Sequence, residues 1–478
     1  MKCPKSGNSP LTYMSCLLPR VSCLLLLAPC YLLTLPATLS WSHHGADGGD
    51  LATAVALGRL PHPPGFPTYL LLGRLFLHLP WGDPAWSLNL LSALSAATAA
   101  VLVAVAGNPE SAICNLQSAI CLALSPLLWS QALITEVYAP AALFSAAVLF
   151  LALRRRPAWL LGVIWGLGLG VHPTLLFLAP LVLWGAASGL NHGERTKVSS
   201  AVKNCAVAIL TAIPVAAILY GPLLLAFRAA PSPWVRLDSP ADWWAYVSGR
   251  MYHRYLFALP AVFWPRRLLA CLGLLARQFT PVGALLALWG GSLLWLERRS
   301  LALVTALSFG LFSLYAIGYN TADSLVYLVP AMPLAALWLG RGMAEAARWL
   351  EERRRWASLL LLLLPLALAI WGWREVDLHG DDSAVRWARE TLRAAPANGI
   401  LVTSQDAATF ALWYVQDVLG ERPDVLVLDR DLWAHEPYRK MIAREAEMPL
   451  SEQPVWPADR PVLEVRAPLD GGHQERSP

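Results

Sequence analysis

Charge is scarce in this chain. Only 14% of its 478 residues are Asp, Glu, Lys or Arg, against about 25% in soluble proteins, and no stretch before residue 374 reads as a soluble domain. With 56% hydrophobic residues and 22 tryptophans, that shortage excludes a water-soluble globular protein, and no nucleic-acid partner is expected. The eight cysteines (Cys3, Cys16, Cys23, Cys30, Cys114, Cys121, Cys205 and Cys271) are scattered, mostly in apolar runs, and the last 200 residues have none. That spacing excludes a disulfide framework and a metal knuckle. Lysine is nearly absent, five against 32 arginines, so the choice of arginine says nothing and only its clustering does. No internal repeat is visible. The C-terminal region lacks a Gly-x-Gly-x-x-Gly turn, so no nucleotide site is expected there.

What is present is a series of apolar runs. At about 20 residues per crossing, helices are expected near 17–40, 88–106, 112–133, 138–153, 157–171, 173–190, 203–226, 278–296, 301–318, 325–341 and 356–373. These make about eleven transmembrane helices in one α-helical polytopic membrane domain, residues 1–374. A cleaved signal peptide is the alternative for the first run. Basic residues fall in alternate loops: Lys2, Lys5 and Arg20; Arg154 to Arg156; Arg195, Lys197 and Lys203; Arg298 and Arg299; Arg341 through Arg353 to Arg355. Such loops stay in the cytoplasm. The same register puts the 43–76 stretch, the 135–138 turn, His172, the 227–277 loop and Tyr319 to Asp323 on the outer face, with the N-terminus cytoplasmic.

Residues 375–478 carry 19 acids against 11 Lys and Arg and form a separate soluble body outside the membrane. Their pattern, helix 382–395, strand 399–403, helix 406–419 and strand 424–428, is that of a small α/β domain. The last 25 residues, with Pro454, Pro457, Pro461 and Pro468, read as irregular. A structural cap, a lid or an acceptor-docking surface are the roles open to this tail.

Residues 43–76, HHGADGGDLATAVALGRLPHPPGFPTYLLLGRLF, pose the functional question. Asp47 and Asp50 stand just beyond the first span, at headgroup depth, where an ionised group is costly unless solvated, paired or used. The adjoining glycines suit close approach of the backbone to a ligand. Leu51 to Leu60 reads as a short helix and 61–67 as a stiff proline corner. Tyr69 to Leu79, with Arg74 and His78 one turn apart, is too short to cross and lies along the outer surface. A carboxylate beside Arg59 and Arg74 suits transfer of a sugar carried on a lipid phosphate: a base deprotonates the incoming hydroxyl and positive charge helps the phosphate depart. The plain alternative is that Asp47 and Asp50 cap the short helix.

These residues carry a resemblance. Gly45-Ala46-Asp47-Gly48-Gly49-Asp50-Leu51, the run from Leu57 through His62-Pro63-Pro64-Gly65 to Tyr69, and Trp86-Ser87-Leu88-Asn89-Leu90-Leu91-Ser92-Ala93 are similar to a bacterial family of multispanning proteins. That family is related to the eukaryotic transmembrane protein O-mannosyltransferase, within the C-type membrane glycosyltransferases. The likeness continues at Trp129 to Ala132, Thr135 to Tyr138, Gly168 to Pro173, Tyr319 to Asp323, Leu412 to Tyr414 and Arg422 to Val425. The family usually has Asp-Ser-Gly-Glu where this chain has Asp47 to Asp50, and Asn-His at Val171-His172. The resemblance implies an inverting transferase that takes a sugar from a polyprenyl-phosphate donor, with the first outer loop supplying the base, Asp47. Mannose follows only by analogy with the eukaryotic relative, and the acceptor is open among protein, glycan and lipid.

Other residues complete the candidate set. Asp50 and Glu136 are expected to position the acceptor or to share a divalent cation, magnesium, manganese or calcium, with Asp47; a helix-end carboxylate is the alternative for Glu136. His62 and His172 are substrate-binding candidates, His172 against the alternative of a satisfied structural histidine, and Tyr319 and Asp323 begin an outer corner. The 227–277 loop breaks the charge rule, with Arg228, Arg236, Arg250, Arg254, Arg266, Arg267 and Arg277 among interleaved Trp and Tyr. Arg250 and Arg254 are assigned to the carrier phosphate, which guanidinium groups grip bidentately; lipid headgroup binding is the alternative. The expected setting is the bacterial inner membrane. A transporter or flippase of lipid-linked saccharides is the rival reading, though it would favour ionisable residues at mid-membrane and internal repeats.

Overall fold

The computed structural model describes residues 27–107, 111–188, 198–229, 231–235, 238–354 and 356–468. Lys2, Lys5, Arg20, Cys3, Cys16, Cys23, Arg195, Lys197, Arg236 and Arg355 lie outside the described residues. Ten of the eleven expected runs are helical, and the first is described as helix over 27–34. Five helices are long and apolar enough to cross a membrane unaided: Pro84–Ala106, Val198–Ala226, Arg299–Gly318, Ser324–Glu351 and Ala357–Val376. Ala112–Ala123 and Pro126–Ala132 form an apolar pair bent by 62°, at a proline that cannot donate to the preceding turn. The shorter apolar helices Tyr138–Leu153, Ala158–Leu169 and Pro173–Ala187 complete the bundle.

Helix starts follow local chemistry. Pro84–Ala106 opens with Pro at its first position and Asp83 as N-cap, its Oδ1 accepting the Trp86 N–H at 2.8 Å; such a cap contributes about 1 kcal/mol. The helix Trp264–Gln278, inside the expected 227–277 loop, meets Thr280–Glu297 at a 96° bend. Leu268, Leu269 and Leu272 are exposed along it, as on a helix lying in the membrane interface. Pro67–Phe76 likewise shows Leu71 and Leu75 outward and buries Tyr69, Leu70 and Gly73 against the bundle.

Beyond Val376 the chain forms the expected α/β unit: helix Ser383–Ala394, β1 (Ile400–Thr403), helix Asp406–Trp413, β2 (Leu426–Asp429) and helix Glu436–Glu445. The irregular end expected after residue 453 contains a third strand, β3 (Val462–Glu464), which pairs parallel with the other edge of β1. Three residues behind Pro461 are too short a pattern to read as a strand, and the pairing with β1 supplies what the local sequence lacks.

Candidate active site

The segments that loop charge assigned to one side of the membrane meet at one end of the bundle. Asp47 occupies the N-cap position of the loop helix Gly48–Leu57 but makes no capping hydrogen bond with its side chain, so the capping alternative fails for it. Its side chain is 44% accessible, whereas Asp50, one turn on, is fully buried. His62, at the proline corner, stands between them. Its Nε2 lies 3.6 Å from Asp47 Oδ2 and its Nδ1 lies 2.9 Å from Asp50 Oδ2. The His62 backbone N–H also donates to Asp50 Oδ2, at 2.7 Å, and Trp234 Nε1 donates to Asp50 Oδ1 at 3.1 Å. Phe66 and Trp234 pack edge-on against the imidazole at 5.0 and 6.0 Å.

A buried carboxylate needs partners, and Asp50 has them on both oxygens, His62 on Oδ2 and Trp234 on Oδ1. Asp47 is recessed rather than covered: the protein around it raises its pKa above the ordinary carboxylate value, the His62 charge opposes this, and Asp323 and then Asp50 add to it. Burial works against protonation of His62, but the Asp47 charge, the Asp50 hydrogen bond and charge, and Asp406 together hold its pKa above the usual histidine value.

Glu136, in the turn before Tyr138–Leu153, is buried, and its Oε2 accepts the Val137 N–H at 3.3 Å. Burial and then the Asp47 charge push its pKa well above that of a free carboxyl; the Val137 bond opposes and Asp323 adds. His172 accepts the Thr174 N–H through Nδ1 at 3.2 Å as an N-cap and stacks on Phe66 at 6.0 Å. Burial first, then His62, lowers its pKa to about 3, and its Nδ1 is engaged by Thr174. Tyr319 packs against Tyr255, Tyr315 and Tyr327 at 5.9, 5.3 and 5.3 Å. Asp323 starts the turn that follows.

The arginines divide. Arg250 and Arg254 are exposed on the short helix Arg250–Tyr255, which is tied to the Tyr319 corner by the Asn320 N–H donating to the Tyr255 carbonyl at 3.0 Å. Between them Tyr252 is held un-ionised by burial and then by the charges of Asp47, Asp406 and Asp50. Arg59 and Arg74 are not brought there. Both sit at the far end of the loop helix, about 15 Å from Asp47 by helical rise. Arg59 is buried with Nη1 2.9 Å from Asp417 Oδ2 and its guanidinium over Trp413, and Arg74 lies over Phe227.

Trp234 and Tyr252 belong to the loop aromatics expected to suit an interfacial surface or to stack on sugar rings, whereas residue patterns gave Tyr138 and Phe66 no separate role, although each lies in a segment singled out from the sequence. The tail, for which a cap, a lid or a docking surface was open, packs against the first outer loop. The helix Asp406–Trp413 lies along the loop helix, the Ala407 carbonyl accepts from Trp41 Nε1 at 2.9 Å, and His435 Nε2 donates to the Trp234 carbonyl at 2.6 Å. The residues do not fit a shared cation: Asp50 is spent on His62 and Trp234, and among the described residues no group of three His, Cys, Asp or Glu could hold a metal ion.

Residues 47–192 match the N-terminal domain of the protein O-mannosyl-transferase TMEM260, and residues 384–451 match the TMEM260-associated domain 2. The chain is 24% identical over 459 residues to the protein O-mannosyl-transferase TMEM260 of Mus musculus, covering 85% of this chain and 62% of that protein. It is 28% identical over 112 residues to the Dictyostelium discoideum protein O-mannosyl-transferase tmem260, covering 22% of this chain and 14% of the relative. The chain thus spans less than two thirds of the length of either relative. Among solved structures it is similar to ArnT from Cupriavidus metallidurans bound to undecaprenyl phosphate, with a TM-score of 0.51 and 12% identity over 90% of this chain and 95% of that one. The archaeal oligosaccharyltransferase AglB from Archaeoglobus fulgidus, in complex with an inhibitory peptide and a dolichol-phosphate, gives a TM-score of 0.50 and 12% identity over 87% of this chain and 65% of that one. The two matched segments and the helical bundle agree: the chain is similar to the TMEM260 protein O-mannosyl-transferases and shares its fold with ArnT and AglB.

Proposed function

We propose that this protein is an inverting glycosyltransferase that moves one monosaccharide, mannose by its relatives' names, from a polyprenyl-phosphate donor to an acceptor hydroxyl. The single observation that carries the reading is Asp47: an accessible carboxylate with no capping bond, recessed at the bundle end where His62, Glu136, Asp323 and Tyr252 converge. Asp47 takes the proton of the acceptor hydroxyl as its oxygen attacks the anomeric carbon. The bond from that carbon to the phosphate oxygen breaks, and the electron pair leaves with the lipid phosphate. Arg250 and Arg254, exposed on the helix that carries Tyr252, offset the charge on the departing phosphate. The lipid phosphates in the ArnT and AglB structures support a donor of this kind, and a protein hydroxyl is the acceptor that the relatives' names suggest. The tail and the site stand outside, and the N-terminus inside, the cytoplasmic membrane of a bacterium.

Ionisable groups at the ends of helices, rather than at mid-span, favour chemistry over transport. The test is to incubate the purified protein with a panel of polyprenyl-phosphate monosaccharides, with and without a Ser/Thr peptide, and to follow donor consumption and the configuration of the new linkage. Consumption of no donor in the panel, or retention of configuration, rejects the proposal.

A further inference from the structure

A base must be ionised to act, and this one is placed where ionisation is resisted. Asp47 lies in a recess with Asp323 from the corner before Ser324–Glu351 and Asp50 from its own helix as like charges. Glu136 from the 135–138 turn has its pKa pushed well above the ordinary carboxyl value by burial and then by the Asp47 charge, and the His172 pKa is lowered to about 3. The opposing charge comes from His62, whose Nε2 faces Asp47 at 3.6 Å.

That imidazole is not free to turn away. Asp50 grips its Nδ1 at 2.9 Å and its backbone N–H at 2.7 Å, and Trp234 in turn fixes the other oxygen of Asp50 at 3.1 Å. Asp406, from the tail, adds a further negative charge that favours the imidazolium. With Nδ1 committed to Asp50, Nε2 is the nitrogen left for Asp47.

We propose that His62 is the counter-ion that keeps Asp47 ionised for catalysis, and that Asp50, fastened by Trp234, is a positioning residue that acts only through His62. The inference rests on the reading of Asp47 as the base. It assigns the second acid of the Asp47-Gly48-Gly49-Asp50 stretch, and the histidine of the proline corner, a function in setting the charge of the first acid rather than in contacting substrate.

The test is the pH dependence of turnover in the full-length protein. In His62→Gln the loss should be steep on the acid side, about tenfold or more at about pH 6, and should close to within about twofold by about pH 9, where Asp47 ionises without help. Asp50→Asn should move the profile in the same direction by less, and the double variant should be no worse than His62→Gln alone, because Asp50 acts through the histidine. Donor KM should stay within about twofold throughout, since none of the three groups holds the phosphate.

Trp234→Phe keeps the ring packing and removes only the donor to Asp50, so it supplies a folded variant if His62→Gln is unstable; it should shift the acid limb the same way. A loss of equal size at every pH in His62→Gln and Trp234→Phe, or additive losses in the double variant, would overturn the proposal in favour of a purely structural network. Asp47→Asn separates the two levels: an inactive Asp47→Asn with flat His62 and Asp50 profiles rejects only the counter-ion, whereas an active Asp47→Asn rejects the base and the counter-ion together.

Discussion

A Cβ at Gly49 would collide with the backbone carbonyl of Phe410. The two residues are far apart in sequence, one in the first outer loop and one in the tail, and the missing side chain lets two helices touch backbone to backbone. Gly49 therefore serves contact with the tail, whereas Gly45 and Gly48 face Ser40, Leu39 and Thr135. Gly49→Ala should push the tail helix off the loop helix, costing about 1–3 kcal/mol as overpacked sites do and loosening the Trp234 loop that His435 holds. Thermal unfolding in detergent should show a lower Tm and assays a lower turnover, while Gly273→Ala, where a Cβ meets open space, should leave both unchanged. An unaltered Tm in Gly49→Ala would mean that the tail is only loosely seated.

Much of this was legible in the residues. The apolar runs announce their helices because lipid forces each backbone to satisfy itself within its own segment, and loop arginines sort the connections by side. The place of Asp47 beyond the first span was legible from the apolar pattern. The different surroundings of Asp47 and Asp50 were not, because they depend on His62 and on Trp234, 184 residues from Asp50. Arg59 and Arg74 misled for a related reason: their neighbourhood to Asp47 in sequence is undone by one intervening helix, which carries them to its opposite end.

Burial first, and then the Asp47 charge, pushes the pKa of Glu136 well above that of a free carboxyl. Its folded pKa lies above its unfolded value, so the stability it contributes is fully present below the unfolded value and is lost as pH rises through the folded one. Glu136→Gln should therefore flatten the fall in Tm on the alkaline side. Because Gln mimics the uncharged acid, turnover at neutral pH should stay within about tenfold of the parent. A loss as deep as that of Asp47→Asn would show that Glu136 works ionised.

Sidedness can be read chemically. In a background with the native cysteines replaced, a cysteine at Gly380, exposed just beyond the last membrane helix, should react with an impermeant thiol reagent in intact spheroplasts. One at Arg155, in a basic loop, should react only after lysis. The reverse pattern would put the site on the cytoplasmic face.

Arg250→Ala and Arg254→Ala should raise the donor KM with little change in kcat for the bound complex. One charge-assisted hydrogen bond contributes about 1.5–3 kcal/mol, or roughly 10- to 150-fold in affinity. The effect should shrink as salt screens these exposed groups. Unchanged donor kinetics in both variants would return this helix to the role of a headgroup anchor.

Asp47→Asn addresses the chemistry directly. The side chain keeps its shape and makes no capping bond whose loss would unwind the loop helix, so the variant should fold and bind donor as the parent does. An amide cannot take the acceptor's proton, and turnover should fall by about 10² to 10⁴. Tryptophan fluorescence of donor binding, Tm and single-turnover transfer measured on one preparation distinguish the cases. Normal binding and Tm with abolished transfer is the expected result; retained transfer would remove Asp47 from the mechanism, and loss of folded protein would give it a structural role that its missing cap bond argues against.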